Sequence, residues 1–203
     1  KNILKKFKKN KKIKIIFLKK NMGAAYCRNY AIKKSKSHYL AFIDSDDIWL
    51  KDKIKRQIYF MEKNNYKFSY TNYFSFKENS KKLNKVFSPS RIDFNEFTKN
   101  TSIGTSTMIV KRSLAKNIKF TNTEICEDYY YKCLLLKKVN YAFCLENFLT
   151  KYRIRKNSLQ SNRLKNFLWI WKINRKFNNF NFIENLLSLF FISLNSLKKY
   201  GFK

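Results

Sequence analysis

Two hydrophobic periods alternate along the chain, and each change of period predicts a change of secondary structure. Unbroken or alternating apolar runs predict strands at 13–18, 39–43, 68–76, 105–110 and 139–149. Apolar spacing predicts helices at 2–10 and 51–62, and turn residues and charge predict further helices at 24–34, 112–116 and 128–137. The run at 39–43 is almost wholly apolar, as expected of a parallel strand that is covered on both faces. Alternating strands and helices predict an α/β fold, whose ligands bind beyond the carboxyl ends of the strands.

The pattern changes after residue 150. Residues 151–203 contain twelve Lys and Arg residues against one acid, Glu184. Their most regular feature is a wide apolar helical stripe, formed by Ile183, Leu186, Leu187, Phe190, Phe191, Leu194 and Leu197. Such a stripe usually packs on the core, and the alternative is a helix that lies on a membrane surface. We therefore predict two parts, a domain over 1–155 and a basic amphipathic helical extension over 156–203.

Composition narrows the class of protein. The 203 residues carry a formal net charge of +32, and 44% of them are hydrophobic, which is typical of a globular chain. The basic charge attracts phosphates, nucleic acid and anionic lipid. Cys27, Cys126, Cys133 and Cys144 form no zinc pattern with the single His38, so we interpret them as buried, reduced thiols.

Two clusters hold six of the thirteen acidic residues of this basic chain. One contains Asp44, Asp46 and Asp47, and the other contains Glu124, Glu127 and Asp128. Adjacent carboxylates repel one another unless cations or hydrogen bonds hold them. Carboxylates separated by one residue at a strand end can both reach a small hard cation. The clusters predict a site for a divalent metal and an anionic substrate, with Glu124 in solvent.

Several further motifs stand in register with these clusters. Asn21-Met-Gly23 and Arg28-Asn29 precede Phe42-Ile43-Asp44-Ser45-Asp46-Asp47 and Trp49. The motifs that follow are Thr105-Ser106-Thr107, Glu127-Asp128, and Tyr152-Arg153 with Ser158 and Ser161. In order and spacing, residues 1–160 resemble the family-2 glycosyltransferases, which are inverting enzymes with the GT-A fold. Several linked motifs are far more specific than any single one.

The resemblance implies a role for each motif residue. Asp44 and Asp46 would bind the donor diphosphate and a Mn²⁺ or Mg²⁺ ion, with Asp46 the preferred direct ligand. Asn21, Gly23, Arg28 and Asp47 would lie on the donor side. A salt bridge is the structural alternative for Arg28, and a helix cap is the alternative for Asp47.

The second cluster would supply the catalytic base that an inverting displacement requires. Asp128 is the first candidate, and the sequence leaves Glu127 open in the same role. Trp49 would contact a sugar or pack in the core. Arg153 would bind phosphate or close a loop.

The implied reaction moves a sugar from a UDP- or GDP-linked donor to a glycan or lipid-linked acceptor. Its implied setting is bacterial surface polysaccharide synthesis, in the cytoplasm at the inner face of the membrane, with an anionic membrane surface as partner. The resemblance also places the family's first strand and Asp-Gly-Ser segment before Lys1, so we expect a GT-A fold that is truncated at its N-terminus. Two alternatives are an inactive remnant of such an enzyme and a basic nucleic-acid-binding protein. No motif in the sequence indicates specific nucleic-acid binding.

Overall fold

A mixed β-sheet organises the computed structural model, which describes residues 2–78, 80, 82–155 and 162–200. The described strands are β1 (Tyr39–Ala41), β2 (Ile48–Trp49), β3 (Phe68–Lys77), β4 (Asn84–Val86), β5 (Arg91–Ile92), β6 (Ile109–Lys111) and β7 (Ala142–Ile154). Their main order across the sheet is β1-β6-β3-β7-β2, with β4 beside β3 and β5 beside β7. Strands β3 and β7 run parallel, and every other pair is antiparallel.

Eight α-helices flank this sheet in the described part of the chain. They are α1 (Asn2–Lys5), α2 (Gly23–Lys34), α3 (Lys53–Lys63), α4 (Phe94–Asn100), α5 (Arg112–Ala115), α6 (Glu127–Leu136), α7 (Arg163–Phe177) and α8 (Phe182–Tyr200). The predicted helices at 24–34, 51–62, 112–116 and 128–137 are confirmed to within a few residues, as are the strands at 68–76 and 139–149. The α/β prediction is therefore confirmed.

The core lies between the sheet and α6. Phe68 and Tyr70 of β3 and Tyr131 of α6 are fully buried. The ring of Tyr131 stacks on Phe120 with 3.8 Å between centroids. This packing fixes the first turn of α6, with its two acidic residues, against the sheet.

Two predictions near the N-terminus are wrong. The helix predicted at 2–10 covers only Asn2–Lys5, and the side chains of Leu4 and Phe7 are exposed. Residues 13–18 form no strand and have no strand partner among the described residues, and Ile13, Ile16 and Phe17 are exposed. A strand requires a neighbouring ladder of hydrogen bonds, which the local apolar pattern cannot supply.

Two strand predictions need correction in detail. Strand β1 ends at Ala41 and is not a parallel strand covered on both faces: it pairs antiparallel with β6 at one end of the described sheet. In the predicted strand 105–110, Thr105–Thr107 form a 3₁₀ turn, and β6 begins only at Ile109. The turn forms because the amide of Thr107 and its hydroxyl both donate to the carbonyl of Gly104.

The apolar stripe of α8 faces away from the core, so of the two interpretations left open by the sequence, packing on the core is wrong. Asn185, Ser188 and Ile192 form the buried face of the helix instead. The inward amide and hydroxyl are satisfied, because Asn174 of α7 donates to both Asn185 and Ser188. The Ser188 hydroxyl also donates to the carbonyl of Thr98, at 2.6 Å. Paired polar groups of this kind cost little when buried.

A hydrogen bond from the Tyr129 hydroxyl to Asn174, at 2.8 Å, ties α7 to α6. Ile170 and Ile173 of α7 and Ile192 of α8 belong to the same core as the sheet. Among the described residues, no helix has both the length and the apolar character needed to cross a membrane.

The cysteines are all free. Cys126, Cys133 and Cys144 are buried, as predicted, whereas Cys27 is exposed, so the prediction is wrong for that residue. Burial raises the pKa of each of the three buried thiols to about 12, so they stay protonated and unreactive at neutral pH.

Candidate active site

Arg28 brings the two acidic clusters together. Its guanidinium donates one hydrogen bond to Asp44, just after β1, and another to Glu127, in the first turn of α6, both at 2.6 Å. Burial alone would lower the pKa of Arg28, but the carboxylates of Asp44, Asp128 and Glu127 raise it above its ordinary value. A fixed cation therefore stands between carboxylates that are far apart in the sequence.

Asp128 lies next to this bridge in a separate set of contacts. Its Oδ2 accepts hydrogen bonds from the Thr105 hydroxyl and the Lys132 ammonium, both at 2.8 Å. Burial would raise the pKa of Asp128, but Lys132, Thr105 and Arg28 together hold it well below its usual range. Asp128 is therefore ionised at any working pH.

The 3₁₀ turn holds the first cluster through Ser106. The Ser106 hydroxyl accepts from the Asp44 amide at 3.0 Å, and its carbonyl accepts from the Trp49 indole at 2.7 Å. The ammonium of Lys53 lies 4.7 Å from the centre of the Trp49 ring. Trp49 is thus half-buried and fixed at the edge of the cluster, rather than loose in solvent.

Arginines of β7 and the segment after it hold the rest of the first cluster. The Arg153 amide donates to the Asp47 carboxylate, and the Arg153 guanidinium donates to the Asp46 carbonyl, both at 3.0 Å. Arg155 pairs with the Asp46 carboxylate at 3.4 Å. Asp47 is buried, which raises its pKa, and it caps no helix because the residue before α3 is Asp52.

The other predicted residues lie away from these contacts. The Asn21 side chain accepts from the Gly23 amide at 3.0 Å, in an exposed turn that begins α2. Gly23 has φ of 78°, which favours glycine. The donor contact assigned to both residues stays a prediction. Glu124 is exposed, as predicted, and pairs with Lys165 of α7. Ser158 and Ser161 lie outside the described residues.

The carboxylates do not form a closed metal cage. In the described ranges, no group of three or more His, Cys, Asp or Glu side chains is placed to hold a metal ion. Asp44 and Asp46 each have an arginine partner instead. A Mg²⁺-type ion that shares the phosphates of its substrate needs only one or two protein carboxylates, so this donor set fits an ion that arrives with a diphosphate.

Sequence reasoning missed three contributors to the site. Lys132 stands four residues after Asp128, a helical spacing that could have identified the ion pair. Arg155 stands two residues after Arg153, a basic pair that was also visible in the sequence. The contacts of Ser106 with Asp44 and Trp49 left no signal in the sequence, because they depend on how the 3₁₀ turn packs.

Comparisons with known proteins agree with this architecture. The model of the glycosyl transferase family 2 matches residues 1–119. TuaG of Bacillus subtilis, whose name assigns it to teichuronic acid biosynthesis, is 31% identical over 98% of this chain and 79% of its own. The Escherichia coli UDP-Glc:alpha-D-GlcNAc-diphosphoundecaprenol beta-1,3-glucosyltransferase WfgD is 34% identical over 94% of this chain and 75% of its own.

A solved structure shows the same fold. The crystal structure of Staphylococcus aureus TarS 1–349 in complex with UDP-GlcNAc superposes with a TM-score of 0.68, at 16% sequence identity. The alignment covers 97% of this chain and 60% of the TarS chain, so the likeness supports the predicted GT-A fold. By its family model and its relatives, the chain belongs to glycosyl transferase family 2.

Proposed function

We propose that this chain transfers one sugar from a UDP-linked donor to a lipid-linked glycan, with inversion at the anomeric carbon. The observation that carries the proposal is the Arg28 bridge. It joins the carboxylate cluster after β1, which the resemblance places on the donor side, to the cluster of α6, which it places on the acceptor side. A transferase needs both sides within one site, since the two substrates react directly.

Asp128 takes the role of base in this proposal. Both of its hydrogen bonds fall on Oδ2, and we assign Oδ1 to the proton of the acceptor hydroxyl. As the hydroxyl oxygen bonds to the anomeric carbon, its proton passes to Asp128. The bond from the anomeric carbon to the diphosphate breaks on the opposite face, and its electron pair leaves with the diphosphate oxygen. The guanidinium of Arg28 contacts Asp44 on the donor side, so it is placed to offset the negative charge of the departing diphosphate.

Asp46 and Asp44 would hold a divalent ion, Mn²⁺ or Mg²⁺, together with phosphate oxygens of the donor. Bound there, the ion would supply Lewis-acid stabilisation of the departing diphosphate. Asp46 is the better direct ligand of the two. Its contact with Arg155, at 3.4 Å, is longer than the 2.6 Å bond between Asp44 and Arg28.

The relatives support the choice of substrates. The name of WfgD states a UDP-linked glucose donor and a GlcNAc-diphosphoundecaprenol acceptor. TarS has been crystallised with UDP-GlcNAc and with UDP. We extend these classes to this chain: a UDP-sugar as donor, and a diphospho-polyprenol-linked sugar as acceptor, used at the inner face of the cell membrane.

A transfer assay tests the proposal. We expect the chain to move labelled sugar from UDP-glucose or UDP-GlcNAc to GlcNAc-diphosphoundecaprenol, and we expect Arg28→Ala to lower the rate about 10- to 100-fold. The variant removes the charge-assisted bonds to Asp44 and Glu127. Arg56→Ala is the matched control, because Arg56 lies exposed on α3. Absence of transfer by a folded chain from any UDP-sugar would contradict the proposal.

A further inference from the structure

The apolar stripe of α8 forms an exposed surface, which we call the outer face. It consists of Ile183, Leu186, Leu187, Phe190, Phe191 and Leu194. Each of these side chains is between 38% and 67% exposed. The buried side of the same helix presents Asn185 and Ser188, so the usual arrangement of an amphipathic helix is reversed.

The described neighbours of α8 hold it in this orientation. Asn185 donates to the Trp171 carbonyl of α7 at 3.1 Å. Asn195 donates to the Lys99 carbonyl at 3.1 Å, and the Lys199 ammonium donates to the Asn100 carbonyl at 3.2 Å. If α8 were rotated so that its apolar stripe faced the core, these hydrogen bonds would break. The apolar side chains that replaced them could not form hydrogen bonds in their place. The outer face is thus a consequence of paired polar contacts on the other side.

Helix α7 extends the apolar surface. Leu164 and Leu168 are 77% and 61% exposed, and they fall on the same side of α7 as Trp171 by helical spacing. The Trp171 ring meets the Phe182 ring edge to face, with 5.4 Å between centroids. The two helices therefore meet through aromatic rings, and their exposed apolar residues are grouped rather than scattered singly as is normal on a soluble protein.

The charge around this surface indicates what covers it. Residues 163–200 contain seven Lys and Arg residues and one acid, Glu184. Glu184 lies in the first turn of α8 and exchanges hydrogen bonds with Asn181 there. Lys172, Arg175 and Lys198 are exposed, and each stands four residues after an apolar residue (Leu168, Trp171 and Leu194), the spacing of neighbours on one helix face. An apolar surface with a basic rim matches a membrane whose headgroups are anionic.

A second copy of the chain fits this surface less well. Each copy carries a formal net charge of +32, and joining two copies through basic rims would bring like charges together. An anionic lipid surface has the opposite charge and also offers an apolar interior. Charge therefore favours the lipid over self-association.

We propose that the outer face of α8, continued by Leu164 and Leu168 of α7, lies in the headgroup region of an anionic membrane. The helix lies along the surface without crossing it. The inference deepens the proposed function, because it rests on a lipid-linked acceptor for its purpose, but the contact itself requires neither donor nor acceptor.

The test is vesicle co-sedimentation of the full chain without nucleotide sugar, on phosphatidylcholine vesicles with and without phosphatidylglycerol. The chain's net charge alone draws it to the anionic vesicles, so the comparison is made at high salt, which screens charge. We expect the double variant L187S/F190S to bind the anionic vesicles at least about tenfold more weakly than the wild type, since each buried apolar side chain contributes about that factor or more. Phe87→Ser is the matched control. Phe87 is also an exposed aromatic residue, with 67% of its surface exposed, and it lies between β4 and β5, far from α8 in the sequence.

Thermal melting of L187S/F190S should equal that of the wild type, since Leu187 and Phe190 are already exposed. Equal vesicle binding by L187S/F190S, Phe87→Ser and wild type would overturn the proposal. The proposal would also be overturned if sedimentation equilibrium showed that the wild type and Phe87→Ser are dimers and L187S/F190S is a monomer. A second copy of the chain would then cover the outer face. If the wild-type chain binds vesicles through this face but transfers no sugar, the result would count against the proposed function alone.

Discussion

Replacing Asp128 with asparagine should lower the rate of sugar transfer by about 10²- to 10⁴-fold, the usual contribution of a positioned general base. The amide keeps an oxygen that can accept from Thr105 and Lys132, but it cannot take the proton of the acceptor hydroxyl. The rate is measured with labelled UDP-sugar and a lipid-linked acceptor. Circular dichroism confirms that the variant is folded.

Two further variants distinguish the role of Asp128 from the roles of the neighbouring carboxylates, Glu127 and Glu124. Glu127→Gln should lose only about tenfold, because the amide oxygen still accepts a hydrogen bond from the Arg28 cation and only the negative charge of the acceptor is removed. Glu124→Gln is the control in the same segment and should transfer at nearly the wild-type rate, since Glu124 is exposed. A deeper loss in Glu127→Gln than in Asp128→Asn would assign the base to Glu127.

The pH dependence supplies a second signature of the base. Asp128 has a pKa well below its usual range in the folded chain, because Lys132, Thr105 and Arg28 stabilise the carboxylate against the effect of burial. It therefore stays deprotonated from pH 8 down to pH 5. We expect no fall of kcat/KM over that range from protonation of Asp128. A fall that Asp128→Asn abolishes would contradict this assignment of its charge.

Replacing Lys132 with methionine should reduce the free energy of unfolding by about 3–5 kcal/mol, the usual cost of removing one partner from a buried ion pair. The ammonium of Lys132 donates to Asp128 and to the Ile103 carbonyl, at 2.8 and 2.9 Å. Both side chains are largely buried, with 6% and 17% of the Lys132 and Asp128 side chains exposed. Methionine fills a similar volume but leaves the carboxylate without its nearest cation.

Denaturant unfolding at two pH values measures this effect. In the wild type, Asp128 has a lowered pKa, so its stabilising contribution is present at neutral pH and is lost only as pH falls through that low value. In Lys132→Met we expect the pKa of the buried Asp128 carboxylate to rise, because burial is no longer opposed by Lys132, so the cost of burying its charge disappears as it takes up a proton. The difference in free energy of unfolding between the wild type and Lys132→Met should therefore be smaller at pH 4 than at pH 7. Lys138→Met, at an exposed lysine just after α6, should leave stability unchanged within about 0.5 kcal/mol.

The sequence predicted most of the secondary structure that carries the site. Helix α3 has a strong helical period and β3 a strong strand pattern, whereas α2 was predicted from the Asn21-Met-Gly23 turn before it and α6 from its acidic first turn. The strand predicted at 13–18 failed because a β-branched run specifies an extended chain but not a neighbour to pair with. The strand prediction failed at Thr105–Thr107 because the Thr107 hydroxyl donates to the Gly104 carbonyl, and this local bond competes with the hydrogen bonds between strands.

The site was predicted in its parts but not in its connections. The pattern placed Asp44 and Asp46 at a strand end and Asp128 in a first helical turn. It could not decide between a donor contact and a salt bridge for Arg28, because residues sixteen and ninety-nine positions apart had to meet at one guanidinium. The α8 stripe gave a similar result: amphipathicity defines an apolar side, whereas the Asn174, Asn185 and Ser188 contacts decide which side faces inward.

The most direct test of the central claim is calorimetric titration of UDP, with and without Mn²⁺, into the chain and into Asp46→Ala. The proposed donor site predicts binding that Mn²⁺ strengthens and that the variant loses. Glu62→Ala, at an exposed carboxylate of α3, should bind UDP as the wild type does. Folded wild-type chain that binds UDP equally well without Mn²⁺, or with Asp46 removed, would contradict the assignment of this cluster to a metal-assisted donor site.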